Sequence, residues 1–251
     1  MPYKHGRPVI DLSLPFRIAS AWTFYTIFPI AMLVNFMMLF TRYKNRFRLH
    51  GLKKIITVSN HTTLFDPVKI TALVLPRLIF QTLLEATVEF PVLGTLTRLL
   101  GGVPIPRGKT GYRKILEIST RAFKHRRYLH FYPEGECFLY NQKIKEFKTG
   151  AFKLAAELDI PIVPLVTVFS EGPFRPWSPL GRSLPFETLV VLEPVYPSNY
   201  IRRNENKEIC SDSINDFAKA VRQKMQEEID RRGGSNAFFR GQMRRVRGLN
   251  D

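Results

Sequence analysis

The sequence predicts an α/β fold, a central mostly parallel sheet flanked by helices, with an N-terminal membrane-embedded helical hairpin in front of it. Three observations carry this expectation. Short, almost continuously apolar segments alternate with amphipathic ones from residue 46 to residue 232, the pattern of strands covered on both faces. An uncharged run fills residues 18–41. The chain has 251 residues, 45% of them hydrophobic, enough for one sizeable core plus an appendage. The expected divisions are membrane-associated helices over 1–45, the α/β domain over 46–232, and a basic C-terminal tail over 233–251, expected to be solvated and frayed.

The N-terminal run, "IASAWTFYTIFPIAMLVNFMMLFT", holds 24 positions without a charge. As one helix it spans about 36 Å at ~1.5 Å per residue, enough for a hydrocarbon core of about 30 Å. Pro29 removes a backbone donor in mid-run, and Asn35 places an amide in the second half. Two short helices joined near Phe28-Pro29, dipping into one leaflet, fit as well as a single span, and the hairpin is the form expected here. A buried helix pair of a soluble protein is the alternative. The run is too long for a signal peptide, and no small-x-small site follows it. Arg42, Lys44, Arg46 and Arg48 come next. Basic flanks favour the cytoplasmic face and anionic head groups.

Beyond them, "RFRLHG" (46–51) and "KIITVSN" (54–60) read as strands, and "PVKITALVLP" (67–76) as a helix opened by Asp66-Pro67. "LIFQTLL" (78–84) is strand-like. "PVLGTLTRLLG" (91–101) has helical spacing and stops at Gly101-Gly102. "VPIPRG" (103–108) is extended. Residues 110–126 place apolar side chains at 112, 115, 116, 118 and 123, one face of a helix. "YLHFYP" (128–133) reads as a strand, 148–159 as a helix, 160–169 and 188–196 as strands, and 211–232 as an amphipathic helix.

The charge balance is 38 Lys+Arg against 21 Asp+Glu, net +17, which suits anionic partners. Beside an uncharged membrane-length run, that charge is better matched by an anionic lipid surface than by nucleic acid. No zinc-finger spacing or aromatic RNA-binding strand supports the latter. Cys137 and Cys210 are the two cysteines, so neither a disulfide framework nor a metal site is expected.

The stretch "SNHTTLFDP" (59–67) concentrates polar chemistry where an apolar strand ends. Asn60 and His61 leave the strand's C-terminal end, where open α/β sheets collect their sites. Asp66 follows His61 by five residues, across a turn short enough to join the two side chains. A carboxylate accepting from one imidazole nitrogen fixes the tautomer and makes the other a better base. The plainer reading makes Asp66 a helix cap before Pro67 and His61 a turn residue. The other histidines lack a carboxylate at such spacing in a turn: His5 lies in a polar tail, His50 and His130 in strands, and His125 in a basic run.

"NHTTLFDP" resembles the Asn-His-x-x-x-x-Asp motif of the glycerophospholipid acyltransferases, the family that includes lysophosphatidate acyltransferase. Three further stretches follow in that family's order. "GGVPIPRG" resembles the second motif, ending in Arg107. "FYPEGE" resembles the third, usually Phe-Pro-Glu-Gly-Thr-Arg, here carried by Pro133, Glu134 and Gly135. "IPIVPLV" resembles the fourth, with Pro164 in place. Lys148 falls where the family tends to have a lysine. The resemblance covers about residues 46–196. It departs at Glu136-Cys137, where the family's Thr-Arg stands; a phosphate-binding arginine is missing there, and Lys143, Lys145 or Lys148 is left to compensate.

The resemblance implies acyl transfer from a thioester to the free hydroxyl of a lysophospholipid, lysophosphatidate first among the acceptors. It implies a general base at His61, oriented by Asp66, and substrate contacts at Asn60, Arg107, Glu134, Gly135 and Lys148. No metal or cofactor is implied. Backbone N–H groups after His61 or near Gly135 are the expected oxyanion donors. Cys137 as an acyl-enzyme nucleophile is the lesser alternative. The implied partners are the lysophospholipid, an acyl-CoA or acyl carrier protein donor, and an anionic membrane surface, without nucleic acid. Two other readings are open: a different lyso-lipid acceptor, or a non-catalytic basic membrane-surface protein.

Overall fold

The computed structural model describes residue 11 and residues 13–76, 78–84, 93–105, 109–124, 128–171 and 185–243. Helix α1 runs unbroken from Leu14 to Leu39, with Pro29 inside it and Phe40 closing it in a left-handed conformation. The N-terminal segment is therefore one apolar helix, not the hairpin expected from Pro29. A proline removes one N–H and displaces one carbonyl, whereas splitting the helix would expose roughly eight further backbone groups at the new ends. Thr23, Phe28, Asn35 and Leu39 face the protein, while Ile18, Trp22, Tyr25, Ile30, Leu33, Phe36 and Met37 stay exposed.

Seven strands form one sheet in the order β1-β7-β6-β2-β5-β3-β4. They are β1 (Arg42–Lys44), β2 (Ile56–Ser59), β3 (Ile79–Leu84), β4 (Gly102–Ile105), β5 (Tyr128–Phe131), β6 (Ile162–Ser170) and β7 (Phe186–Val191). All pairings are parallel except β6 with β7. β1 lies in the stretch read as a basic flank, and the strand expected over 46–51 is a short 3₁₀ turn, Arg46–Leu49. Arg42 and Lys44 point outward, as charges do on a sheet edge, so the apolar signal of a strand is absent there.

Helices α2 (Asp66–Val74), α3 (Leu93–Leu99), α4 (Lys109–Lys124), α5 (Gly150–Leu158) and α6 (Ser211–Arg231) cover the sheet. Alternate strand residues divide the core in two. Ile56, Val58, Leu129, Phe131, Ile162 and Val166 pack with Ile115, Phe123, Phe152, Phe217 and Val221 of α4, α5 and α6. Ile55, Val163, Leu165, Leu189 and Val191 pack with Ile70, Leu73 and Val74 of α2. Helix α1 lies against α2 and α3. The first part of the C-terminal tail is docked rather than frayed: Ser235 N–H donates to the Phe169 carbonyl, Arg240 N–H to that of Leu139 and Met243 N–H to that of Cys137.

Candidate active site

Strand β2 is central, between β5 and β6, and buried at every position. Because β2, β3, β4 and β5 are parallel, their C-terminal ends share one edge, and the "SNH" and "YPEG" loops leave from it side by side. Asn60 is fully buried there. Its Nδ2 donates to the Thr167 carbonyl at 3.0 Å, and its Oδ1 accepts the Thr167 N–H at 2.9 Å. The amide thus acts as one more strand residue against β6 and sets the point at which His61 leaves the sheet.

His61 Nδ1 lies 2.8 Å from Asp66 Oδ2. Asp66 Oδ2 also accepts the backbone N–H groups of Thr62 at 2.6 Å and Thr63 at 3.0 Å, and Oδ1 accepts the Thr63 hydroxyl at 2.8 Å. The carboxylate therefore winds the 62–66 turn around itself. It does not cap α2, whose N-cap is Phe65. Burial alone would raise the Asp66 carboxyl, but the Lys69 ammonium at 2.6 Å and the His61 hydrogen bond hold it well below the usual carboxylate range. An ionised carboxylate only accepts, so Nδ1 carries the proton and Nε2 is left with its lone pair. The His61 side chain is 21% exposed, in contrast to the enclosed Asp66.

Glu134 joins the two loops. Its Oε1 accepts the His61 N–H and its Oε2 the Lys145 N–H, each at 3.0 Å. Burial pushes its carboxyl up to about 7 against the pull of those two N–H groups. Gly135 has φ +76°, and a Cβ there would come within 2.5 Å of Lys148 Nζ. The lysine side chain therefore crosses directly over a position that only glycine suits. Lys143, Lys145 and Lys148 are all exposed. Arg107 lies outside the described residues, two positions beyond the last residue of β4.

One expectation is corrected, and one lesser alternative loses its support. The N–H groups of His61, Thr62 and Thr63 serve the Glu134 and Asp66 carboxylates, and that of Gly135 serves the Tyr132 carbonyl. These four amides hold the loops together and are not open to an oxyanion. Cys137 is buried, and burial with the nearby Asp66 charge pushes its thiol up to about 12, the reverse of an activated nucleophile.

Three groups were not singled out by sequence reasoning. The Tyr132 ring stacks on the His61 imidazole at 4.2 Å, and its hydroxyl donates to Gln81 Oε1 at 2.9 Å. Gln81 in turn donates to the Pro67 carbonyl and the Thr71 hydroxyl of α2. His130 sits beneath, bonded to the Thr57 and Ser59 hydroxyls and pushed down to about 3 by burial, so it stays neutral. Lys69, wholly buried, bridges Asp66 to Glu187. "FYPEG" and "DPVK" contain Tyr132 and Lys69 in plain view, but neither residue type at that spacing announces a partner. Among the described residues no group of three or more His, Cys, Asp or Glu side chains is placed to hold a metal.

Comparison with known proteins bears on the family and the fold. The chain is 32% identical over 120 residues to an N-acylphosphatidylethanolamine synthase of Arabidopsis thaliana, a match over 45% of this chain and 42% of that protein. The chain thus spans less than half the length of that relative. Its fold is similar to that of the 1-acyl-sn-glycerophosphate (LPA) acyltransferase PlsC from Thermotoga maritima. That likeness has a TM-score of 0.57 at 19% identity and covers 89% of this chain and 85% of the other. The family model described as Acyltransferase matches residues 41–168, just over half of the chain and the whole span from β1 through the His61 and Glu134 loops into β6, and the chain belongs to the acyltransferase family.

Proposed function

We propose that the protein transfers a fatty acyl group from an acyl thioester to the hydroxyl of a lysophospholipid at a membrane surface, with lysophosphatidate as the leading acceptor. The observation that carries this is the 2.8 Å contact between His61 Nδ1 and Asp66 Oδ2, on a histidine whose other nitrogen bears the lone pair. His61 Nε2 takes the proton of the acceptor hydroxyl while the oxygen attacks the thioester carbonyl carbon. The tetrahedral intermediate collapses with cleavage of the C–S bond, and the thiolate takes the proton back from Nε2. Asp66 holds the tautomer and stabilises the imidazolium that forms between the two steps. No enzyme nucleophile is needed, consistent with a buried, high-pKa Cys137. Arg107, just past β4, and Lys148, across Gly135, are the cations proposed to hold the acceptor phosphate and the acidic donor. The proposed role of Asn60, Glu134 and Gly135 is to build the loops against which substrate sits.

The exposed apolar face of α1 supports anchoring. Water-facing Ile18, Trp22, Leu33, Phe36 and Met37 on a 26-residue helix form the kind of surface that lipid covers. Leu64, exposed within the 62–66 turn itself, is apolar beside the base. The test is a mass-spectrometric assay in mixed micelles that offers acyl-CoA and acyl carrier protein donors to lysophosphatidate, other lysophospholipids and phosphatidylethanolamine. Ester formation on a lyso-lipid bears out the reading. N-acylation of the ethanolamine amine alone would move the acceptor to the product class named for the Arabidopsis relative.

A further inference from the structure

Helix α2 reads "DPVKITALV", and its one lysine is among the largest side chains wholly removed from solvent. Burying an ammonium costs several kcal/mol, and a well-packed apolar residue of similar size is often as stabilising or more so. Something other than stability is therefore gained by keeping it. The Lys69 ammonium lies 2.6 Å from Asp66 Oδ1, on the side of the carboxylate away from His61, and it also pairs with Glu187 Oε1 on β7. The outer oxygen of Glu187 accepts the Thr41 hydroxyl at 2.6 Å, and that hydroxyl accepts the Asn35 amide at 2.8 Å. Thr41 sits at the junction of α1 and β1, and Asn35 is the buried amide of the apolar helix. Asn35, Thr41, Glu187, Lys69, Asp66 and His61 thus form one unbroken polar chain from α1 to the imidazole.

Charge accounting gives the chain a purpose. Lys69 lets Asp66 remain ionised in a buried setting, which the His61 tautomer requires. Glu187 offsets Lys69, so that an imidazolium at His61, Asp66, Lys69 and Glu187 together sum to zero at the moment His61 holds the proton. We propose that Lys69 is a positioning residue for acyl transfer, and that Glu187, Thr41 and Asn35 make its setting depend on the seating of α1. This rests on His61 being the base. Lys69 itself is out of reach of any substrate.

The double variant Lys69→Met/Glu187→Gln removes the pair with little change of volume or net charge, and Thr41→Val removes only the hydroxyl on Glu187. Both are measured as full-length protein in micelles, with each substrate varied in turn and thermal unfolding followed. In the double variant kcat falls tenfold or more, both KM values stay within twofold, and Tm holds or rises. In Thr41→Val kcat falls about threefold, and Thr41→Ser restores it. A folded double variant with kcat within twofold of wild type overturns the proposal, because a merely structural pair would leave kcat alone once stability is kept. Should the double variant fail to fold, wild-type kcat in Thr41→Val overturns it equally. His61→Ala separates the two levels. Full turnover there removes the base assignment itself, whereas a dead His61→Ala beside a fully active double variant removes only the role of Lys69.

Discussion

Asp66→Asn isolates what the carboxylate does for the imidazole. The hydrogen-bond partners of the Asp66 carboxylate are all donors: His61 Nδ1–H and the Thr62 and Thr63 N–H groups on Oδ2, and Lys69 with the Thr62 and Thr63 hydroxyls on Oδ1. An asparagine must turn its NH₂ toward one of these sets. Facing the first, it meets His61 and two backbone donors; facing the second, it meets a buried ammonium. One orphaned buried donor costs about 1–3 kcal/mol, more when charged. The lost charge-assisted bond to His61 was itself worth about 1.5–3 kcal/mol. Only the second loss acts on the transition state, and about 1.5–3 kcal/mol there corresponds to a kcat lower by roughly 10–10², at ~1.4 kcal/mol per decade. Tm falls as well, since whichever way the amide turns, either the turn N–H groups or the buried Lys69 ammonium lose their acceptor. The assay is single-turnover acyl transfer together with thermal unfolding. A folded Asp66→Asn enzyme within threefold of wild type would refute the reasoning, because the neutral amide either turns its NH₂ onto the His61 Nδ1–H or leaves the Lys69 ammonium unpaired, and in neither case offsets the imidazolium.

Three other outcomes are expected. The folded-state pKa of Glu134, about 7, lies above the ordinary value, so its contribution to stability is complete at low pH and is lost as pH rises through 7. The Tm of wild type minus that of the non-titrating Glu134→Gln therefore falls from pH 5 to pH 8, and a constant or rising value contradicts the assignment. Cys137→Ala keeps at least half of wild-type turnover, as a buried thiol that does not attack must; loss of activity with intact folding would reinstate an acyl-enzyme. Arg107→Ala raises the acceptor KM about tenfold or more, the scale of a bidentate phosphate contact of roughly 1.5–3 kcal/mol. A defect confined to the donor KM would move Arg107 to the thioester carrier's surface.

The dyad was legible because it is local. His61 and Asp66 are five residues apart at the end of an apolar strand, and one turn decides their contact. The strands from Ile56 to Ile162 were legible for a related reason: burial on both faces forces near-continuous apolar runs. What the sequence concealed is long-range or polar. Lys69 in α2 looks like any solvated helix lysine until Glu187, 118 positions later, is seen to pair with it across the sheet. Tyr132 reads as a strand-end aromatic, and only the parallel β2–β5 register brings its ring onto His61. β1 hides in "RYK" because an edge strand needs little apolar content. Pro29 suggested a break, since its local cost is evident from the sequence while the backbone pairing that outweighs it is not. The two ends of the Asn60 amide face β6, which the resemblance to a substrate contact did not reveal.

The central claim is that His61 Nε2 takes the acceptor's proton. The direct measurement is the acyl-transfer rate of His61→Ala in the full-length enzyme, with thermal unfolding and donor binding recorded on the same preparation. Only one side chain at a sheet edge is removed, and the His61 N–H to Glu134 is backbone and persists in the variant. Tm and donor affinity should therefore stay close to wild type while turnover falls by at least 10³, within the range of general-base and tautomer effects of this kind. A folded, donor-binding His61→Ala protein that turns over at a rate near wild type would contradict the account.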